Sequence, residues 1–171
     1  MSAAEPHTEL DPRYSSPGAE PARWADAREI LSGAELYWLT TVRPDGRPHV
    51  TPLIGVWSQG ALYFSTGAEE RKGRNLAANA EVVLTTGANT WTEGFDVVLE
   101  GRAERVTDAA LLTALAQAWE AKYGKFWHFD VADGMFVGAQ GNRAEVFAVS
   151  PRTVFGFGKG ERFTQTRWRF A

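Results

Sequence analysis

Apolar positions along the chain fall mostly into short runs rich in aromatic and β-branched residues, punctuated by glycine, proline and aspartate. That spacing predicts strands joined by tight turns. Glu35 to Arg43 reads ELYWLTTVR, and Pro44-Asp45-Gly46 supplies a reversal before a second run from His49 to Trp57. Gln59-Gly60 turns the chain again into Leu62 to Ser65, so three consecutive strands are expected to form a meander with register set by the short turns. Further strands are expected at Val82 to Thr85, Val97 to Val106, Ala144 to Val149, Thr153 to Phe157 and Phe163 to Phe170, with Gly158-Lys159-Gly160 at the tip of the last hairpin. Gly101 and Ala103 mark a bend or close backbone approach in the long fifth run.

Three stretches change to helical spacing. From Pro21, Trp24, Ala27, Ile30 and Leu31 share one face and Gly33 ends the element. Arg71 to Asn75 open a short basic helix after Gly67. Asp108 is placed as an N-cap for ALLTALAQAWEAKYG, whose Leu111, Leu112, Leu115 and Trp119 align and whose Gly124 is a stop. Between Lys125 and Arg143 apolar bulk is present without a clean period, and no element is assigned. Residues 1–20, with Pro6, Pro12, Pro17 and Gly18 among Ser and Glu, are expected to be a flexible tail ahead of a single domain over 21–171. Many short strands with two or three covering helices predict a mainly β protein with peripheral helices, a closed or nearly closed antiparallel barrel.

Composition narrows the function classes. A chain of 171 residues is the length of one domain and buries roughly 70% of its unfolded surface. A formal net charge of -3 does not point to nucleic acid. With no cysteine, disulfides, thiolate catalysis and cysteine-bound zinc are excluded, and a reducing, cytoplasmic location is expected. No segment approaches the ~20 apolar residues of a membrane span, and the N-terminus lacks a signal-peptide pattern. His7, His49 and His128 are too far apart for metal-ligand spacing. Ser58 and Ser65 lack the glycines of a nucleophile elbow, no GxGxxG or P-loop is present, and GFGKG reads as a hairpin.

The chemistry that stands out lies between Leu62 and Leu84. There a strand leads through Gly67 into a helix start carrying Arg71, Lys72, Arg74 and Asn75. Free N–H groups and the dipole at a helix start attract anions, and arginine and lysine bind phosphate by a fork and a point charge. The same cluster also suits a solvated basic face.

Four stretches carry a family resemblance: LTTVRPDGRPHVTPL, LYFSTGAEERKGRNL, VVLEGRAERV followed by Asp108 and a helix, and the terminal TRWRF. From Leu39 onward the chain resembles the pyridoxamine 5'-phosphate oxidase-like, flavin-binding antiparallel split β-barrel family, including its deazaflavin-dependent branch. The resemblance implies that His49, Val50, Thr51, Pro52 and Leu53 flank the ring of FMN or of the deazaflavin coenzyme F-420, and that Ser65 and Thr66 meet its ribityl or phosphate portion. Arg71 and Lys72 are the implied phosphate ligands, with Arg74 and Asn75 beside them. Trp168, between Arg167 and Arg169, would reach the cofactor of a second subunit in a homodimer with sites at its interface. TRWRF does not reproduce the C-terminal arginine and histidine arrangement of a true pyridoxamine phosphate oxidase, so vitamin B6 oxidation is not implied. The expected activity is hydride transfer to or from a small organic substrate, with Tyr37, Trp57, Trp91, Phe126, Trp127 and Phe129 as wall or core residues. A non-catalytic carrier, store or sensor of flavin, deazaflavin or haem is the alternative, and a cofactor-free interaction domain a third.

Overall fold

The computed structural model describes residues 5–171. In chain order its elements are β1 (His7–Leu10), α1 (Trp24–Gly33), β2 (Tyr37–Val42), β3 (Pro48–Leu53), β4 (Val56–Ser58), β5 (Ala61–Thr66), α2 (Arg71–Ala78), β6 (Glu81–Thr86) and β7 (Gly94–Val106). They continue with α3 (Ala109–Tyr123), β8 (Phe129–Ala132), β9 (Met135–Gly138), β10 (Arg143–Lys159) and β11 (Thr164–Arg169). Every strand pairing among the described residues is antiparallel, and the main ladder runs β1-β11-β10-β7-β6-β2-β3. β4 and β5 join it through the first half of β10, whose second half pairs with β11. The sheet curls without closing, as a split barrel does.

Two apolar cores lie on its two faces. Leu39, Phe64, Leu84, Leu99, Val149 and Trp168 form one of them, to which α1 contributes Ala27 and Leu31. The other core lies beneath α3, where Leu112, Leu115 and Trp119 meet Val56, Tyr63, Phe136 and Val146. Leu62 and Phe64 of β5 face one core while Ala61 and Tyr63 face the other, which is why this strand reads as an unbroken apolar run. The three fully buried α3 side chains supply about 2 kcal/mol each. Asp108 caps α3 by accepting the Leu111 N–H at 2.8 Å, and Gly124 stops it at φ +85°.

The structure corrects several sequence expectations. The run from His49 to Trp57 breaks at Gly55, where an added Cβ would lie 2.7 Å from the Tyr63 carbonyl oxygen. In place of a three-stranded meander there are two hairpins, β2–β3 and β4–β5, that do not pair with each other among the described residues. Ala144–Val149 and Thr153–Phe157 are one strand, because Pro151 keeps Gly101 as its partner and the register shift before Thr153 leaves Arg152 as a bulge beside the proline. The unassigned stretch contains the β8–β9 hairpin, closed by Asp133 and Gly134 at φ +51° and +70°. An Asp-Gly pair is the residue choice such a two-residue turn demands, and it was the readable signal there. For the expected loose tail, residues 1–4 lie outside the described residues, while His7–Leu10 is a strand paired with β11 from Arg169 to Thr166. Its Glu9 carboxylate is held by Arg167 and Arg169.

Candidate functional site

β2 and β3 present alternate residues to opposite faces, and this alternation divides the expected ring-flanking stretch. Thr41 and His49 are register partners whose side chains lie together at the end of the hairpin nearest α2. Val50 is 54% exposed on the other face, where Trp38 is also solvent-exposed. His49, Thr51 and Leu53 therefore share one side of β3, and Val50 and Pro52 the other.

At the α2 end a polar network is sealed inside the fold. Thr41 and Asn75 are both 0% exposed. Asn75 Nδ2 donates to Thr41 Oγ1 at 2.9 Å, and Thr41 Oγ1 donates to the His49 carbonyl at 3.4 Å with His49 Nδ1 3.5 Å away. Asn75 Oδ1 has no hydrogen-bond partner, nor has the buried Nε of Arg43 at the end of β2. A buried polar atom without a partner carries a desolvation penalty of roughly 1–3 kcal/mol, a state shared by the core Nε1 atoms of Trp119 and Trp168; of the two atoms here, the Arg43 Nε–H is the donor that an anion would satisfy.

Positive charge gathers around this network. Desolvation first, then the charges of Arg43, Arg71 and Lys72, push the His49 imidazole below its ordinary value, so the ring is neutral at pH 7. Lys72 is tucked against the protein with its side chain 14% exposed, whereas Arg71 and Arg74 are exposed. The helix start is held close to the 67–68 turn because Gly73 has no side chain: a Cβ there would lie 2.4 Å from the Gly67 carbonyl oxygen. The donor set of Arg43, Arg71, Lys72 and a helix N-terminus fits a phosphate group.

The remaining expected residues are placed as follows. Thr66 is 2% exposed beside the turn into α2, while Ser65 points to the opposite face of β5. Trp168 is 0% exposed and packs on Trp24 with ring centroids 5.7 Å apart. The expectation that it reaches a cofactor in a second subunit gives way to a core role, because on β11 it faces inward while Arg167 and Arg169 face solvent. Tyr37 is likewise fully buried, its hydroxyl donating to the Leu31 carbonyl and receiving Lys122 Nζ. Phe126 and Trp91 are exposed, at 90% and 76%. Concavities of about 780 and 550 Å³ lie elsewhere, near Ile30, Leu36 and Phe95 and along Trp38, Thr85 and Val98. Thr41 and Arg43 were missed as site residues. Their signal was present in YWLTTVR: inward positions 37 and 39 are apolar, and the alternation then places a threonine and an arginine at 41 and 43.

A family model described as Pyridoxamine 5'-phosphate oxidase matches residues 24–156. No curated protein matches the chain. Among solved structures, a conserved hypothetical protein from Mycobacterium tuberculosis aligns with TM-score 0.65 and 21% identity, covering 80% of this chain and 85% of that one. A haem-binding protein from Mycobacterium smegmatis aligns with TM-score 0.63 and 21% identity over 86% of this chain and 58% of its own. An FAD-binding protein from Mesorhizobium loti aligns with TM-score 0.59 and 18% identity over 86% and 95%. At these identities the likeness is one of fold. With its split-barrel sheet and a family match that runs from α1 into β10, the chain belongs to the pyridoxamine 5'-phosphate oxidase-like family.

Proposed function

We propose that the protein is an oxidoreductase that binds FMN or the deazaflavin coenzyme F-420 by its phosphate at the start of α2 and transfers hydride to or from a small organic substrate. The observation that carries this reading is a set of three cations, Arg43 with its buried, unpartnered Nε, Arg71 and Lys72, whose charges all reach His49 next to the buried Thr41–Asn75 pair. The cofactor would supply the hydride chemistry; the chain's part is to hold, orient and shield it. Arg43, Arg71 and Lys72 would hold the phosphate, and Thr66 lies beside them at the turn. His49, kept neutral, offers a hydrogen-bonding ring rather than a cation. The FAD-binding relative of the same fold supports a flavin-type ligand.

The working assembly we propose is a homodimer in which the outer face of β2 and β3 meets a second copy. Leu36, Trp38 and Val50 are 46%, 47% and 54% exposed there, an apolar patch that water disfavours. Sedimentation should give twice the chain mass. A cytoplasmic setting accords with the absence of cysteine, and no helix among the described residues is long and apolar enough to cross a membrane.

A visible spectrum of the purified protein, then parallel titrations with FMN and the deazaflavin, test the reading. Replacing Arg71 and Lys72 together by alanine should weaken binding by about two to four orders of magnitude, each charge-assisted contact contributing roughly 1.5–3 kcal/mol. Unchanged retention would remove the phosphate assignment. A second reading, a carrier or store without turnover, is favoured by the haem-binding relative. Holding cofactor or haem while consuming no substrate with a supplied reductant would select it.

A further inference from the structure

One carboxylate of the chain itself sits on donors of the phosphate cluster. Glu70 is the residue from which α2 starts, yet its side chain does not cap the helix. It folds back over the preceding turn. Its Oε1 accepts the Gly67 N–H at 2.8 Å, and its Oε2 accepts from Lys72 Nζ. Desolvation pushes the carboxyl up, but it is outweighed by the hydrogen bond from Lys72, the Gly67 N–H, the Lys72 charge and the Thr66 hydroxyl, and the net shift is downward. Glu70 is therefore ionised at neutral pH.

Backbone N–H and ammonium groups beside a helix start are the donors an incoming phosphate takes. We infer that Glu70 is a built-in competitor for the cofactor phosphate, an internal anion that occupies Gly67 N–H and Lys72 and must swing away when the phosphate binds. The inference rests on the phosphate site proposed above. Unequal burial makes the exchange feasible. The Glu70 side chain is 52% exposed and can turn into water, whereas Lys72, at 14%, keeps its need for an anionic partner. One anion thus replaces another, and the gain on binding is the difference between two ion pairs rather than a whole one. Once displaced, Glu70 remains a neighbouring negative charge. The cofactor is consequently held less tightly than the same donors would hold it without Glu70.

The test compares FMN with riboflavin, which lacks the phosphate, by fluorescence titration of the wild type, Glu70→Gln and the Arg71→Ala/Lys72→Ala double variant. Gln keeps an oxygen for the Gly67 N–H while removing the charge. Glu70→Ala serves as the second variant, and thermal melts report folding of both. Glu70→Gln should tighten FMN about tenfold, the magnitude of a half-screened ion pair together with relief of like-charge repulsion, and leave riboflavin unchanged. Unchanged or weaker FMN binding by both Glu70 variants, with binding lost in the double variant, overturns the role of Glu70 and leaves the phosphate site standing. Wild-type affinity for FMN in the double variant, or binding of neither FMN nor the deazaflavin by any of the proteins, overturns both.

Discussion

Gly73→Ala sets two effects of opposite sign against each other. In an exposed helix the change gains about 1 kcal/mol, because alanine loses less backbone freedom than glycine. Here the added methyl would sit 2.4 Å from the Gly67 carbonyl oxygen and 3.0 Å from that of Ala68. Both atoms are backbone and cannot rotate away, so α2 must shift by about 1 Å to reach an ordinary contact. Overpacking of this kind costs roughly 1–3 kcal/mol, and the polar network that α2 carries through Asn75 shifts with it. The clash wins by up to about 2 kcal/mol, which at this chain length lowers Tm by up to roughly 8 °C. Thermal denaturation followed by circular dichroism reads this directly. Gly33→Ala is the matched control: it ends α1 with nothing within 4 Å of a Cβ, and the change should be neutral or stabilising. FMN titration of Gly73→Ala should also show weaker binding, since Arg71 and Lys72 ride on the displaced turn. A Tm at or above that of the wild type would refute the claim that close packing of α2 on the 67–68 turn sets the geometry of the cluster.

Thr41→Val keeps the shape but removes the acceptor of Asn75 Nδ2, and should cost about 1–3 kcal/mol in chemical denaturation; a smaller loss would mean that the amide finds another partner. The His49 ring, followed by NMR, should titrate below 6.5, and its midpoint should climb on addition of inorganic phosphate as the charges of Arg71 and Lys72 are neutralised. Because the folded value is the lower one, the unfolded chain takes up the proton first. Stability is therefore lost as pH falls through 6.5 toward the folded value, and His49→Gln should flatten that slope. His128 behaves in the opposite sense: its hydrogen bond with Glu120, then the Glu120 charge, raise it, so its contribution is present below 6.5 and fades as pH rises through the folded value. His128→Gln should abolish that decline and leave cofactor binding unaltered.

Much of this fold was written locally. Both ends of α3 follow from Asp108 and Gly124, and the β2–β3 hairpin follows from Pro44-Asp45-Gly46, because caps and turns act over a few residues. What escaped was long-range. Whether Pro151 interrupts a strand or sits at a bulge depends on β7, some fifty residues earlier in the chain. The arm at His7–Leu10 is a strand only because β11 offers it an edge. The site divided in the same way. Arg71, Lys72 and Asn75 were legible from the helix start, whereas Arg43 and Thr41 join them only through the packing of β2 against α2. Val50 and Pro52 were grouped with His49 by adjacency in sequence, and strand alternation separates them.

β10 is the backbone partner of β5, β7, β9 and β11, and it begins at Arg143. A ribosome adding roughly 5–20 residues per second releases β2 and β3 about 5–20 s before β10 exists to complete the sheet. During that interval β5, with apolar residues on both faces and no second neighbour, is an open edge in the nascent chain. Docking of β1 on β11 pairs His7 with Arg169 and Leu10 with Thr166, so the arm finds its edge only once β11 has been made. Pairings this distant along a chain are of the kind that form slowly, and β11, which carries the buried Trp168, is the strand that must be in place before β1 can add to the sheet.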